Sequence, residues 1–301
     1  MRNSFLDNIS DLLLNYPSFT FGIIVLIILL LLGFGISNFA PSSDLLWGMG
    51  NAPYSIPPTF NYPFGTTTNG QSIFWLLTIA IKNSMILGFL TGAISVAIAT
   101  IMGFLAGRFS NGILGDLLNM IIDSFCVIPG LPVLLVLAFA LKGYITVVTI
   151  SLILSIFGWA WPSKQMRTMV MNLNQKQFIM TSKFSGLSTW EMFLHDYLPY
   201  ILPWLLIQFL GLVNWAIGME VTIAIFGITN LSIPTIGTSI YWAYTYQTLL
   251  LGQWWWMTFT LILTIFLMLS IYNVSISISS YLNPRTRLIR IQKSVILGES
   301  K

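Results

Sequence analysis

Six long apolar stretches alternate with shorter polar ones along this chain, at about residues 19–40, 84–107, 117–141, 144–162, 200–226 and 254–278. Each approaches or exceeds the roughly 20 residues a helix needs to cross a hydrocarbon core. The pattern predicts an all-α membrane protein with six transmembrane helices. It divides the chain into an N-terminal segment (1–18), a first helix (19–40), an outer connection (41–83), a core (84–278) and a tail (279–301).

The polar interruption from Ser163 to Tyr197 is not built like a loop. It carries Lys164, Arg167, Lys176 and Lys183 against only Glu191 and Asp196. It also keeps apolar residues at helical spacing: Met166, Met169, Val170 and Leu173, then Phe178, Ile179, Met180 and Phe184. Half apolar and half basic, it reads as a short helical pair on the membrane surface that docks a cytoplasmic partner. Gly186 falls where a turn between two short helices needs positive φ.

Composition sharpens the class. Hydrophobic residues make up 56% of the chain and charged residues 7%, too little charge for a soluble protein of 301 residues. One cysteine, Cys126, and one histidine, His195, leave no disulfide framework and no Cys or His cluster for a metal. With the N-terminus inside, cytoplasmic segments hold eleven Lys and Arg residues, from Arg2 through Arg108 and Lys164 to Lys301, while outer segments hold only Lys82 and Lys142. That bias predicts cytoplasmic termini. The first helix reads as retained rather than as a cleaved leader, because Asp7 and Asp11 sit in its flank.

The outer connections are rich in rings and poor in charge. Residues 41–83 include Trp47, Tyr54, Phe60, Tyr62 and Phe64 and predict a compact cap, with Ser72–Lys82 lying in the interface. Residues 228–253 include Tyr241, Trp242, Tyr244 and Tyr246, followed by Trp254, Trp255 and Trp256. Two readings fit the rings: a headgroup-level aromatic belt, or a stacking surface for a passing solute. Pro129 and Pro132 predict a kink in the third span, either for packing or to line a path. Asp123 and Glu220 are costly in a membrane. Their positions near helix ends favour helix-end or interhelical partners, with water or Arg108 within reach of Asp123, over a proton relay.

No G-x-x-x-x-G-K-[ST] loop, G-x-S-x-G elbow or H-E-x-x-H pair occurs, so the weight shifts from catalysis to transport. The residues Phe178 to Gly186 followed by Leu198-Pro199 resemble the E-A-A-x-x-x-G…L-P segment of integral-membrane permeases of dipeptide/oligopeptide-type ABC importers, in particular the C-type permease of the pair. Further similarities follow in order. Tyr62-Pro63-Phe64-Gly65-Thr66 with Gly70 resembles H-P-L-G-T-D-x-x-G-R-D, and Asp123 with Pro129 resembles V-D-x-x-x-x-x-P. Glu220 through Gly227 resembles E-x-x-L-S-F-L-G, and Leu282 through Arg287 resembles L-D-P-R-x-R. The chain departs from the pattern at Met180-Thr181-Ser182, which stand for Glu-Ala-Ala, and at Thr67, Gln71 and Ser72.

The resemblance implies a type I importer fold with a cytoplasmic coupling helix in a prokaryotic cell membrane. Its coupling positions would be Phe178, Met180, Thr181, Ser182, Lys183, Phe184, Gly186 and Leu187; Asp123, Pro129 and Glu220 would be helix-end or path residues. It implies a second, similar permease, two cytoplasmic ABC ATPases and an extracytoplasmic solute-binding protein as partners, beside the bilayer and without nucleic acid. The chain would bind no cofactor or metal and perform no chemistry, ATP and Mg being used by the ATPases. Without the family's Glu, docking rests on the apolar face of Phe178, Met180 and Phe184, since burial at roughly 25 cal/mol per Å² can exceed one exposed ion pair. Oligopeptides lead as substrate, with oligosaccharides as the alternative on the strength of the outer rings, and nickel complexes last. An ion-coupled carrier using Glu220 or Asp123, or a structural subunit, leaves Ser163–Tyr197 without a purpose.

Overall fold

The structure is a computed structural model and describes residues 12–13, 16–141 and 144–282. The basic tail from Arg285, Arg2 and Lys142 lie outside the described residues. The elements are α1 (Pro17–Leu30), α2 (Ile73–Arg108), α3 (Ile113–Val127), α4 (Gly130–Ala140), α5 (Val147–Gly158) and α6 (Ala160–Asn174). They continue as α7 (Gln177–Phe184), α8 (Thr189–Met192), α9 (Leu198–Ile225), α10 (Ile236–Thr245) and α11 (Trp254–Leu282). Among the described residues there is no β-strand, only an isolated bridge between Thr66 and Ser72.

Four helical runs are long and apolar enough to cross a membrane: Pro17–Phe39, Ile73–Arg108, Thr189–Ile225 and Trp254–Leu282. Two bent pairs, α3 with α4 and α5 with α6, raise the number to six if each pair is one span. The chain is thus a multi-pass, all-α membrane protein.

The bends depart from the expected spans, and proline accounts for them. The third span is not one kinked helix over 117–141, because α3 and α4 meet at 82°. Ile128 precedes Pro129 and is extended (φ −58°, ψ 128°), as the proline ring requires of its neighbour. Pro132 adds no second kink. It falls in the first turn of α4, where its missing N–H would be unpaired anyway. The fourth span likewise turns by 45° between α5 and α6. Pro162 lies in the first turn beyond that bend, where a proline cannot extend the preceding helix without a break.

α2 is the organising helix, packed along α6, α9 and α5, while α11 packs on α1 and α9. At 36 residues it is about 54 Å long, well beyond a hydrocarbon thickness. Its first turns are packed inside the protein rather than forming a separate surface helix. Ile73, Leu76, Leu77, Ala80 and Ile81 are buried, so the helix runs straight into the outer cap. At the other end Gly103 and Gly107 let α6 approach closely: a Cβ would stand 2.6 Å from the Ser163 carbonyl at the first and 2.7 Å from the Arg167 carbonyl at the second.

About half of the outer rings form a core, while Tyr54, Phe60, Tyr244 and Trp254 are exposed. Trp47 stacks on Trp256 at 5.7 Å and Trp242 on Tyr246 at 5.5 Å. Trp255 and Trp256 are buried with Ile73, Leu77 and Ala243. Most of these indoles therefore serve neither as a headgroup belt nor as a free stacking surface. Gln71 ties the cap together by donating to the Ser43 and Leu46 carbonyls and accepting from the Gly48 N–H.

Candidate functional site

Ser163–Tyr197 is built differently from a surface helical pair. Its first part is α6, the bent continuation of the fourth span; only α7 and α8 are short. Ile179 points inward and joins Phe104, Met166, Val170, Met192, Tyr197 and Ile201 in one apolar cluster. The opposite side of α7 is open, with Met180 exposed and Phe184 88% exposed. Phe178 is also exposed, with one ring face stacked on Tyr200 at 5.1 Å and 25°.

The polar residues of α7 are satisfied locally. The Thr181 and Ser182 hydroxyls donate to carbonyls one turn back, those of Gln177 and Phe178. Gly186 adopts φ +80°, with open space where a Cβ would stand. It joins α7 to α8, and Leu187 in the same turn is exposed. Ser188 then caps α8 in a reciprocal box: its backbone N–H donates to Glu191 Oε2 (2.8 Å) and its hydroxyl accepts from the Glu191 N–H (3.3 Å). The Ser-x-x-Glu spacing made this cap legible in the sequence, although it was not read there.

A half-buried node behind this surface was not anticipated. The Tyr197 hydroxyl donates to Asn174 Oδ1 at 2.6 Å, and Asn174 Nδ2 donates to the Gly107 carbonyl at 3.0 Å. One side chain thus ties the end of α6, the entry to α9 and the last turn of α2. No periodicity marks it, because Asn174 looks like a loop residue and Tyr197 like one more aromatic. The Phe104 and Tyr197 rings pack edge to face, their centroids 5.2 Å apart. A displacement of α7 would therefore reach α2 and α9 through packed, hydrogen-bonded contacts.

Asp123, Pro129 and Glu220 are not brought together. Asp123 pairs with Lys164 Nζ at 2.7 Å and accepts from Asn119 at 2.9 Å, linking α3 to α6. Arg108, expected within its reach, instead contacts the Met192 sulfur at 3.6 Å. Glu220 is wholly buried and holds the start of α10: Thr235 Oγ1 donates to Oε1 at 2.6 Å and the Gly237 N–H to Oε2 at 3.2 Å. A carboxylate at a helix N-terminus meets unpaired N–H groups and a positive dipole end. Its partners make it an interhelical anchor. Pro129 borders an uncharged groove lined by Phe125, Ile128, Leu131, Phe157, Trp161 and Trp215 among others. Among the described residues no group of His, Cys, Asp or Glu could hold a metal ion.

Residues 99–288, more than half of the chain, match the family model described as the binding-protein-dependent transport system inner membrane component. Similar proteins include the dipeptide transport system permease protein DppC of Lactococcus lactis subsp. cremoris (strain MG1363), 26% identical over 51% of this chain and 44% of that protein. The oligopeptide transport system permease protein OppC of Mycobacterium bovis is 26% identical over 50% of this chain and 52% of its own length. The DppC of Bacillus subtilis (strain 168) is 25% identical over 77% of this chain and 72% of its own. The chain thus spans about half the length of the first two of these relatives. The chain belongs to the family of binding-protein-dependent transport system inner-membrane components, the ABC transporter permeases.

Proposed function

We propose that this chain is the permease subunit of an ATP-driven importer of short peptides, with both termini in the cytoplasm. The observation that carries the reading is α7: a short helix whose outer face is open at Met180 and Phe184 and whose inner face is seated on the spans through Ile179, in the same apolar cluster as Tyr197 of the Tyr197–Asn174–Gly107 node. Such an element suits the transmission of movement from a soluble partner. That partner would be a pair of cytoplasmic ABC ATPases that bind the ATP and Mg, while this chain catalyses nothing. Closing of the ATPase dimer would draw together the α7 helices of this chain and of a second, similar permease. Through the node, α2 and α9 would follow, and the two bundles would rock between inward-open and outward-open states.

Peptides are favoured because the relatives are named dipeptide and oligopeptide permeases. The argument for sugars weakens, since Trp47, Phe64, Trp242, Tyr246, Trp255 and Trp256 among the rings that suggested it are packed into the cap, although Tyr54, Phe60, Tyr244 and Trp254 stay exposed. An extracytoplasmic binding protein would deliver the substrate. The test is to purify the complex with its native partners and measure affinity of the binding protein for peptide and oligosaccharide panels. Binding of peptides at micromolar or lower concentration is expected. Binding of sugars with none of peptides would overturn the substrate assignment.

A further inference from the structure

A groove opens between α7 and the turn that joins α2 to α3, lined by Arg108, Phe109, Ile113, Asn174, Met180 and Lys183 among others. Arg108 and Lys183 are its only charged lining residues. Arg108 Nε is buried without a hydrogen-bond acceptor. Among the described residues the one ion pair is Lys164–Asp123, so neither groove cation has a carboxylate partner. Both cations lie in the last turn of a helix, where the dipole favours positive charge. That accounts for part of their placement, but it supplies no acceptor to the guanidinium. Among the described residues the one acceptor the guanidinium has is the Met192 sulfur, on Nη2 at 3.6 Å, a weak acceptor beside which a carboxylate is far stronger, and a desolvated donor left unpaired is costly.

We propose that this groove receives an acidic side chain of the cytoplasmic ATPase subunit. The docking surface would then consist of two elements, α7 and the α2–α3 turn. The matching ATPase surface would carry an Asp or Glu set among apolar residues. This rests on the reading of α7 as the ATPase contact, with which the groove is continuous through Met180 and Lys183. A lipid phosphate could meet the same guanidinium. Against that, the neighbouring face of α7 exposes Lys176, Gln177 and Thr181, which suit a protein contact better than acyl chains.

The test uses the complex purified with its ATPase subunits, following their retention as salt is raised. Lys183→Gln is expected to lower retention about fivefold at low salt and to flatten the salt dependence; Lys183→Glu and Arg108→Gln should lower it further. Parent-level retention at every salt in Lys183→Gln and Lys183→Glu overturns the proposal. Phe184→Asp, outside the groove, separates the two ideas. If it alone releases the ATPases, docking at α7 stands and the acidic contact falls; if it also retains them, the α7 reading falls as well. An Arg108→Gln complex that holds its ATPases but loses anionic phospholipid by native mass spectrometry overturns the proposal in favour of a lipid site.

Discussion

Tyr197 has no exposed surface, yet its hydroxyl contributes a hydrogen bond rather than only a ring. Tyr197→Phe keeps the packing against Phe104 and leaves Asn174 Oδ1 without its donor. Asn174 is only half-buried, so the loss is that of one hydrogen bond, about 0.5–1.5 kcal/mol; the thermal midpoint in detergent should fall by a few degrees, and an unchanged midpoint would contradict the node. Glu220 follows the same logic at the outer end. Glu220→Ala strips acceptors from both the Thr235 hydroxyl and the Gly237 N–H. It should destabilise more than Glu220→Gln, which keeps one acceptor. Equal losses would show that the carboxyl oxygens are not the anchor.

Asp44, also in the outer cap, is 4% exposed and its Oδ1 has no partner. Burial pushes its pKa up from 3.8 to about 6, against the opposing hydrogen bonds from the Ser72 N–H and from Ser43; no charged side chain contributes. The folded value lies above the unfolded one, so the folded cap binds the proton more tightly. The stability this group contributes is greatest below its unfolded value, is lost as pH rises through about 6, and stays level above. Asp44→Asn should remove that slope and raise the melting point near pH 8 more than near pH 5. A variant as pH-sensitive as the parent would refute it.

Among the elements, the α7–α8 turn isolates backbone from packing. Gly186 has φ +80° and nothing near its missing Cβ, so a side chain there meets only conformational cost. For valine that cost is about 1–2 kcal/mol, enough to re-aim a short turn without unfolding the spans. Gly186→Val is therefore expected to insert normally but hydrolyse ATP without transport, whereas Gly186→Asn, which tolerates the left-handed region, should stay coupled. Transport by the valine variant at the parent rate would contradict the role given to this turn. The positive φ was legible because glycine interrupts a helical pattern between two apolar sets. The 82° break at Ile128-Pro129 was legible only as a kink, because proline fixes where a helix stops and tertiary packing fixes how far it turns. The straight run of α2 into the cap was missed for a related reason. Polar residues such as Thr78, Lys82 and Asn83 look like an interface, yet Thr78 is buried and Asn83 donates to the Pro234 carbonyl of the cap.

For the molecule as a whole, the apolar pattern overlaps all four long helices and both bent pairs, but three of them, Ile73–Arg108, Thr189–Ile225 and the pair ending at Asn174, extend about three helical turns beyond the expected bounds. It also set the surface Ser163–Tyr197 apart. It could not show that about half of the outer rings pack on one another, since belt, binding surface and core all use the same side chains. Nor could it show the pairing of Asp123 with Lys164 on another helix. Orientation follows from charge and has a direct check. In a Cys126→Ser background, a cysteine at the exposed Ser232 should react with an impermeant thiol reagent from outside, and one at the exposed Ser188 should not. The reverse labelling would invert the topology and place α7 on the wrong side for an ATPase.

The most direct test of the account is uptake of labelled peptide by proteoliposomes carrying the complex and its binding protein, with ATP supplied on the α7 side. The account predicts accumulation that requires ATP, persists when the proton gradient is collapsed, and disappears in Phe184→Asp although the variant folds. Accumulation without ATP, or at the parent rate in Phe184→Asp, would contradict it.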